Sequence, residues 1–249
     1  MKRSIVLLLI VSLCFVISAC DNNPGAIAKN QTDMGKSHDQ LCVGDSVAFG
    51  NYEQDNLLDN GKEVILWDVV EIDDDYALLV SKSIITAYQY HANEKSVTWE
   101  DSILRAWLNS RFFETAFSSS ERTAIMETDL HTPSIHQKYY SSILGSYTYT
   151  VDALPSCWTT DKVFILSVDE IDKYYSTDTK RLAKPTVSVQ LEAEEAFEWW
   201  TRTPGVVVGS QKIVDDNGSH ELGGAINTLE IGVRPAVWVK LDSEAILKQ

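Results

Sequence analysis

The sequence predicts an α+β domain in which strands come first, short helices follow and strands return at the end. Three observations predict it. Short apolar runs occupy residues 43–81, capping patterns with apolar stripes at helical spacing occupy 98–175, and Val-rich runs between glycines return after residue 205. Because the chain has 249 residues, no internal repeat and no second linker, we treat 41–242 as a single globular domain.

The first strands are expected to form a hairpin. Val43–Tyr52 alternates loosely between apolar and polar residues and suits an opening strand. Val64–Ile72 carries apolar residues on both faces, which predicts burial on both faces. The polar turn Asp73–Asp75 then leads into a returning strand, Tyr76–Ser81.

Capping patterns predict helices in the middle of the chain. They are Thr98–Asp101, Ser118–Glu121 and Ser167–Glu170, each with a hydroxyl three residues before an acidic side chain. The first is followed by an apolar stripe at three- and four-residue spacing, made of Ile103, Leu104, Trp107 and Leu108. A short buried strand is expected at Val163–Leu166.

The segment His131–Cys157 has no clear period and is rich in Ser, Thr and Tyr. We expect a long connection there, either a binding loop or a segment without order. The remaining expected strands are Val206–Val208, Gln211–Val214, Ser219–Leu222 and a well-buried closing strand, Val233–Leu241, around Trp238.

The N-terminal residues are typical of an export signal. Lys2 and Arg3 precede an apolar run, Ile5–Ile17, which is shorter than the roughly 20 residues of a membrane-spanning helix. Ile17-Ser18-Ala19-Cys20 resembles the lipobox of bacterial lipoproteins. We therefore expect 1–19 to be a signal peptide and Cys20 to carry lipid; an ordinary signal peptide or an uncleaved anchor is the alternative.

Further predictions follow from this signal. Residues 20–40 are polar and predict a flexible tether with a mean reach of about 25 Å, and 243–249 are expected to be a C-terminal tail. The chain would then lie at the cell membrane on the extracytoplasmic side, and the membrane would be its first partner. A formal net charge of −15 argues against nucleic acid as a partner.

Metal, cofactor and nucleophile motifs are not found in the sequence. Cys42 and Cys157 remain after processing, and they either form a disulfide or stay as buried thiols. His131 and His136 are five residues apart and suit solvated loop positions better than a metal pair. Asp215–Ser219 does not fit the register of a calcium loop and predicts a turn at Asn217-Gly218.

Two motifs near the C-terminus are the most distinctive part of the chain. Trp199-Trp200-Thr201-Arg202-Thr203-Pro204-Gly205 is followed by Val233-Arg234-Pro235-Ala236-Val237-Trp238. Adjacent tryptophans of an extended chain point to opposite faces, so one can enter the core while the other contacts a ligand beside Arg202. The alternative is that Trp199 and Trp200 are both core residues and that Arg202 and Arg234 are held by carboxylates or carbonyls. Arg234 and Trp238 are expected to be structural.

These motifs resemble a widespread bacterial domain family of unknown function that is frequent in surface and lipid-anchored proteins. The resemblance extends to Val43–Tyr52, Trp99–Asn109 and Asp161–Ser167. More distantly, the closing strand is similar to C-type-lectin-like and sulfatase-modifying-factor-like architectures. That similarity implies a twisted, mainly antiparallel sheet with flanking helices, without the calcium-dependent sugar motifs or paired redox cysteines of those proteins.

Taken together, the sequence favours a non-catalytic, lipid-anchored binding or interaction module, whose ligand is a glycan or an envelope protein. Its ligand is expected to meet the segments around 131–157 and 206–232. The alternatives are an envelope-acting enzyme, such as a carboxylate-dependent glycan hydrolase with Trp199 or Trp200 as its sugar platform, and a structural subunit of an envelope complex.

Overall fold

The domain is a mixed α and β fold made mostly of strands, with a few short helices and curled antiparallel sheets. It is seen in a computed structural model that describes residues 41–93, 95–143, 146–189, 198–221, 223–226, 230–242 and 246–248, with no account of the side chains of 139–152, 225, 247 and 248. The expected signal peptide 1–19, the expected lipidation site Cys20 and the expected tether 20–40 lie outside the described residues. No helix in these ranges combines the length and apolarity that a membrane crossing requires.

The strands are β1 (Ser46–Tyr52), β2 (Glu63–Asp73), β3 (Tyr76–Ser81), β4 (Thr86–Tyr88), β5 (Thr128–Thr132), β6 (Ile135–Ile143), β7 (Ser146–Leu154), β8 (Cys157–Asp161), β9 (Trp199–Pro204), β10 (Ser210–Val214), β11 (Gly223–Ala225), β12 (Ile231–Val233), β13 (Ala236–Lys240) and β14 (Leu247–Lys248). The helices are α1 (Ile103–Trp107), α2 (Phe113–Ala116), α3 (Ser119–Ala124), α4 (Val168–Tyr174) and α5 (Asp178–Arg181). A π-helical turn (Leu108–Phe112) joins α1 to α2, and a 3-10 turn covers Val187–Val189.

The first sheet has the strand order β13-β3-β2-β1-β14 and is antiparallel throughout. Only one face of β2 is fully buried: Ile65, Trp67 and Val69 lie in the core, whereas Val64 and Leu66 are 50% and 42% exposed. The expectation that β2 is buried on both faces is therefore wrong, because no layer of the described chain covers those two side chains. The predicted hairpin of β2 and β3 is confirmed.

The second sheet has the order β11-β10-β9-β12-β4. The expected closing strand at 233–241 is in fact two strands in different sheets, β12 and β13. Arg234 and Pro235 separate them, and Pro235 lacks the N–H that a continuous ladder would need. Instead, the Pro235 carbonyl accepts a hydrogen bond from Ser81 N.

Helix starts follow the capping patterns in two of three places. Ser118 with Glu121 and Ser167 with Glu170 form complete capping boxes at α3 and α4. The first helix starts later than predicted, because Ser102 rather than Thr98 is its N-cap and accepts a hydrogen bond from Arg105 N at 3.1 Å. Leu104 and Leu108, two residues of its apolar stripe, are buried in the core.

The segment expected to be a long connection is two pairs of strands. β6 and β7 form a hairpin of nine paired positions, and β5 pairs with β8. Conversely, Val163–Leu166 is buried but forms only one bridge, between Phe164 and Ala236, rather than a strand. Residues 206–208 are likewise not a strand. Of the strand expected at 219–222, the described residues 219–221 are not a strand either, and the strand in this part of the chain, β11, begins at Gly223.

The fold continues beyond the predicted end at residue 242. Leu247 and Lys248 form β14 on the edge of β1, and Ile246 packs against the core. The described part of 243–249 is therefore part of the sheet rather than a tail.

Candidate functional site

Trp199 and Trp200 are both completely buried, with 0% of either side chain exposed. The indole N–H of Trp199 donates to the Arg181 carbonyl at 3.1 Å, and that of Trp200 donates to the Tyr88 carbonyl at 2.7 Å. Because β9 lies between β10 and β12 and is covered on both faces, neither ring can stack on a ligand. This corrects the expectation that one of the two contacts a ligand.

Arg202 is also buried, at 4% exposed, and is held by a carboxylate and a carbonyl. Its NH2 donates to Glu170 Oε1 at 2.7 Å, its NH1 donates to the other oxygen of Glu170, and NH1 also reaches the Ile165 carbonyl at 3.1 Å. The guanidinium is thus part of the packing between β9 and α4. It is not available to a ligand.

Arg234 is 2% exposed and lies between two aromatic rings. Its guanidinium carbon is 4.9 Å from the Trp199 ring and 5.4 Å from the Tyr175 ring, and its Nε donates to the Ser81 carbonyl at 3.0 Å. Burial raises the pKa of the Tyr175 hydroxyl, although the nearby guanidinium opposes the shift. Arg234 therefore joins the two sheets, while Trp238 is half-buried on β13.

The two cysteines are not joined to each other, and the acidic turn is held by hydrogen bonds to its own backbone. Cys42 and Cys157 are not bonded to each other; Cys157 is buried and Cys42 is half-buried. In the turn at Asp215–Ser219, the Asp215 carboxylate accepts the N–H groups of Asn217 and Ser219, both at 2.9 Å. Gly218 has a φ of +83°, so the predicted turn is confirmed.

One group of carboxylates has the spacing of a metal site. Glu53, Asp55 and Glu63 bring oxygens within 4.8 Å of one another. Asp55 accepts hydrogen bonds from Leu57 N and the Asn60 amide, both at 2.8 Å, and these lower the pKa of its carboxyl. Glu63 accepts from Gln54 N at 2.6 Å. Two of the three carboxylates are therefore already hydrogen-bonded within this loop.

The surface feature that stands out is an exposed aromatic pair on β5 and β8. Trp158 is 68% exposed, and its ring centroid lies 4.6 Å from that of His131, which is directly opposite in the ladder. Asp129 and Thr160 form the neighbouring pair on the same face, joined by a 2.6 Å hydrogen bond. We call these four residues the Trp158 face.

The buried side chains of β8 connect the Trp158 face to the core. Cys157, Thr159 and Asp161 are buried while Trp158 and Thr160 are exposed. The Asp161 carboxylate accepts from Trp99 Nε1 at 2.8 Å and from Arg105 Nε at 2.6 Å. A ring presented from a strand held in this way is preorganised for contact.

Trp158 carries no local sequence signal of a functional residue. In β8 the three buried positions are a cysteine, a threonine and an aspartate, while the two exposed positions are a tryptophan and a threonine. Apolar side chains usually occupy the buried positions of a strand, and here polar ones do. The alternation of apolar and polar residues in 157–161 therefore does not mark a strand in the sequence. His131 and His136 are exposed, as expected, but on strands rather than on a loop.

A cavity of about 450 Å³ beside α3 contains Arg122 and Lys162, but both cations are engaged. Lys162 lies 3.6 Å from Glu127 and over the Phe113 ring, and Arg122 donates to the Phe117 carbonyl at 2.8 Å. This cavity therefore offers a ligand no open charge.

The chain belongs to a family described as a domain of unknown function (DUF6273), whose model matches residues 74–241. The match begins in the turn between β2 and β3 and ends just after β13, so it includes both tryptophan motifs and the Trp158 face. No curated protein matched the chain, and no solved structure matched it.

Proposed function

We propose that this chain is a lipid-anchored, extracytoplasmic binding module that contacts its ligand through the Trp158 face. The observation that carries the proposal is the exposure of Trp158 in a domain that buries Trp67, Trp99, Trp199 and Trp200 completely. An exposed aromatic ring on a rigid strand is a common anchor in interfaces. The export signal and the lipobox-like Cys20 support the location.

The chemistry of the Trp158 face favours a glycan as ligand. The C–H face of a sugar ring can stack on the indole, and covering the exposed part of that side chain would contribute about 2–3 kcal/mol before the cost of association. Because the Thr160 hydroxyl donates its proton to Asp129, the two residues supply acceptor oxygens beside the rings for sugar hydroxyls. An envelope protein is the second ligand class that an exposed Trp–His pair would serve.

Two features support a C-type-lectin-like architecture within this proposal. The sheets are mainly antiparallel, and short helices flank them. Arg234, which joins the two sheets, lies between β12 and β13 in the Val233–Trp238 motif that carries the resemblance.

The enzyme alternative loses the sugar platform on which it was based, since Trp199 and Trp200 are 0% exposed. Glycoside hydrolysis would also require two carboxylates flanking the ligand. The Trp158 face carries a single one, Asp129. A binding role therefore suits this surface better than hydrolysis.

The ligand is tested with the chain from residue 20 carrying Cys20→Ser, applied to a glycan array and used to pull down partners from envelope extracts. We expect glycan binding that is lost in Trp158→Ala and retained in Leu58→Ala, a control that removes an apolar side chain that is 80% exposed. Silence in both assays, or equal binding by the two variants, would contradict the proposal.

The anchor is tested separately by expressing the full chain in bacteria with labelled palmitate. We expect label on the wild-type protein and none on Cys20→Ser. Recovery of unlabelled protein that still contains residues 1–19 from the cytosol would contradict the proposed location.

A further inference from the structure

A second surface, which shares no residue with the Trp158 face, has the shape and charge of a binding site. It is a cavity of about 420 Å³ between the β2–β3 turn and β13, lined by Asp73, Asp74, Asp75, Tyr76, Met126 and Trp238. This volume lies in the range of small-ligand sites. We call it the acidic–aromatic cavity.

Its wall is aromatic because of the register between β3 and β13. Tyr76 lies opposite Lys240 and Leu78 lies opposite Trp238, so Tyr76 and Trp238 are diagonal neighbours on one face of the sheet. Both aromatic side chains are only half-buried. Met126 closes one side, since its N–H donates to the Trp238 carbonyl at 2.9 Å.

The rim of the cavity is negatively charged. Asp73, Asp74 and Asp75 are all exposed, and the Asp75 carbonyl accepts from Leu241 N at 2.7 Å, which ties the turn to the end of β13. Within the described ranges, none of the three carboxylates takes part in an ion pair.

Lys240, which lies opposite Tyr76 in the ladder, forms its ion pair with a residue outside the turn. Lys240 Nζ binds Asp242 Oδ2 at 3.0 Å, and this bond is the main cause that raises the pKa of the ammonium, with smaller contributions from Tyr76 and Asp75. A cation beside Tyr76 is therefore stabilised by the nearby Asp75 carboxylate. Aromatic faces combined with unpaired carboxylates attract organic cations.

We propose that the acidic–aromatic cavity binds an organic cation of the ammonium or guanidinium class, such as a lysine or arginine side chain of a peptide. The cation would lie over the Trp238 and Tyr76 rings, with the carboxylates of the β2–β3 turn around it. This proposal does not rest on the glycan contact proposed for the Trp158 face, because the two sites have no residue in common.

The test titrates the chain from residue 20 carrying Cys20→Ser with N-acetyl-arginine amide and N-acetyl-lysine amide, and follows the indole N–H resonance of Trp238. The neutral control ligand is N-acetyl-citrulline amide, which has nearly the same shape as the arginine compound. We expect saturable shifts with the two cations, weakening severalfold in 0.5 M salt, and no saturation with citrulline.

Variants separate the aromatic and the acidic contributions. Asp73→Asn with Asp75→Asn should weaken cation binding at least about fivefold, whereas Asp169→Asn, on the exposed start of α4, should leave it unchanged. Trp238→Ala should weaken it about tenfold or more; Trp238→Phe, which preserves packing, should weaken it less. Trp158→Ala should have no effect.

Equal binding of citrulline and arginine compounds, full binding by the Asn double variant, or no shift up to about 50 mM ligand would each overturn the proposal. Loss of the cation-binding result with glycan binding intact would overturn the proposal for this cavity alone. Loss of glycan binding with cation binding intact would overturn the proposal for the Trp158 face alone.

Discussion

Glu170 holds Arg202 through both oxygens of its carboxylate while the same group caps helix α4. Arg202 NH2 donates to Oε1 at 2.7 Å, and Ser167 N donates to Oε2 at 2.8 Å. The capping box that could be recognised locally and the arginine of the Trp-Trp motif are therefore one structure. Residues 167–170 and 199–205 are joined by this side chain.

Replacing Glu170 with Gln should lower the free energy of unfolding by about 2–3 kcal/mol, because it leaves the Arg202 charge buried without a carboxylate. Asp169→Asn is the matched control, since Asp169 is exposed in the same helical turn. Urea denaturation at pH 7 measures both. Equal, small losses would show that Arg202 does not depend on Glu170.

Glu71 should stabilise the fold in a pH-dependent way. Burial alone would raise the pKa of its carboxyl, but hydrogen bonds from Lys173 and Tyr174 outweigh burial and hold it below the ordinary 4.5. A lowered pKa contributes stability above 4.5 that is lost as pH falls through the folded value.

Glu71→Gln should therefore cost about 0.5–1 kcal/mol at pH 7, a value reduced by solvent screening at Lys173, and almost nothing at pH 3. The measurement is urea denaturation at several pH values, with the exposed Glu100→Gln as control. A cost that does not change with pH would contradict the assignment.

The Glu198 carboxyl should make the fold less stable as the pH rises, which is opposite to the effect of Glu71. Burial first, and then the neighbouring Asp216 and Asp215, raise the pKa of its carboxyl. Folding therefore favours the protonated form, and stability falls as pH rises from 4.5 through the folded pKa.

Glu198→Gln should accordingly stabilise the protein at pH 7, by less than about 1 kcal/mol because the side chain is only half-buried, and be neutral below pH 4. The same pH series of unfolding curves measures this. Destabilisation at pH 7 would show that the Glu198 carboxylate is favoured by the fold instead.

Two glycines with positive φ allow the energetic cost of backbone strain to be distinguished from that of a steric clash. Gly61 has a φ of +93° and open space around it, whereas a Cβ on Gly218 would lie 2.1 Å from the Asp178 carbonyl oxygen. Gly61→Ala should cost about 1–2 kcal/mol from backbone strain alone. Gly218→Ala should cost clearly more, because the backbone of α5 must move. Thermal melts compare the two, and equal losses would contradict the close packing.

Local chemistry explains which elements could be predicted from the sequence. The capping boxes at Ser118 and Ser167 depend on residues three positions apart, and the β2–β3 hairpin depends on a polar turn between apolar runs. These signals are complete within a few residues. The sequence therefore predicted them with little error.

Non-local packing explains the strands and the side-chain positions that the sequence did not predict. β6 and β7 pair over nine positions, yet their Ser, Thr and Tyr residues show no apolar period that marks a strand. Trp199 and Trp200 point to opposite faces, but both faces of β9 are covered, which the chain around them does not reveal. The exposure of Trp158 depends on the buried Asp161 behind it, whose partners Trp99 and Arg105 are more than fifty residues away.

The most direct test of the Trp158 face follows individual indole N–H resonances of the chain from residue 20 with Cys20→Ser. Soluble oligosaccharides released from a bacterial envelope are added in steps. We expect the Trp158 indole and the His131 ring to shift first and to saturate, while the Trp199 and Trp200 indoles stay in place. Saturable binding that leaves Trp158 unmoved would contradict the account.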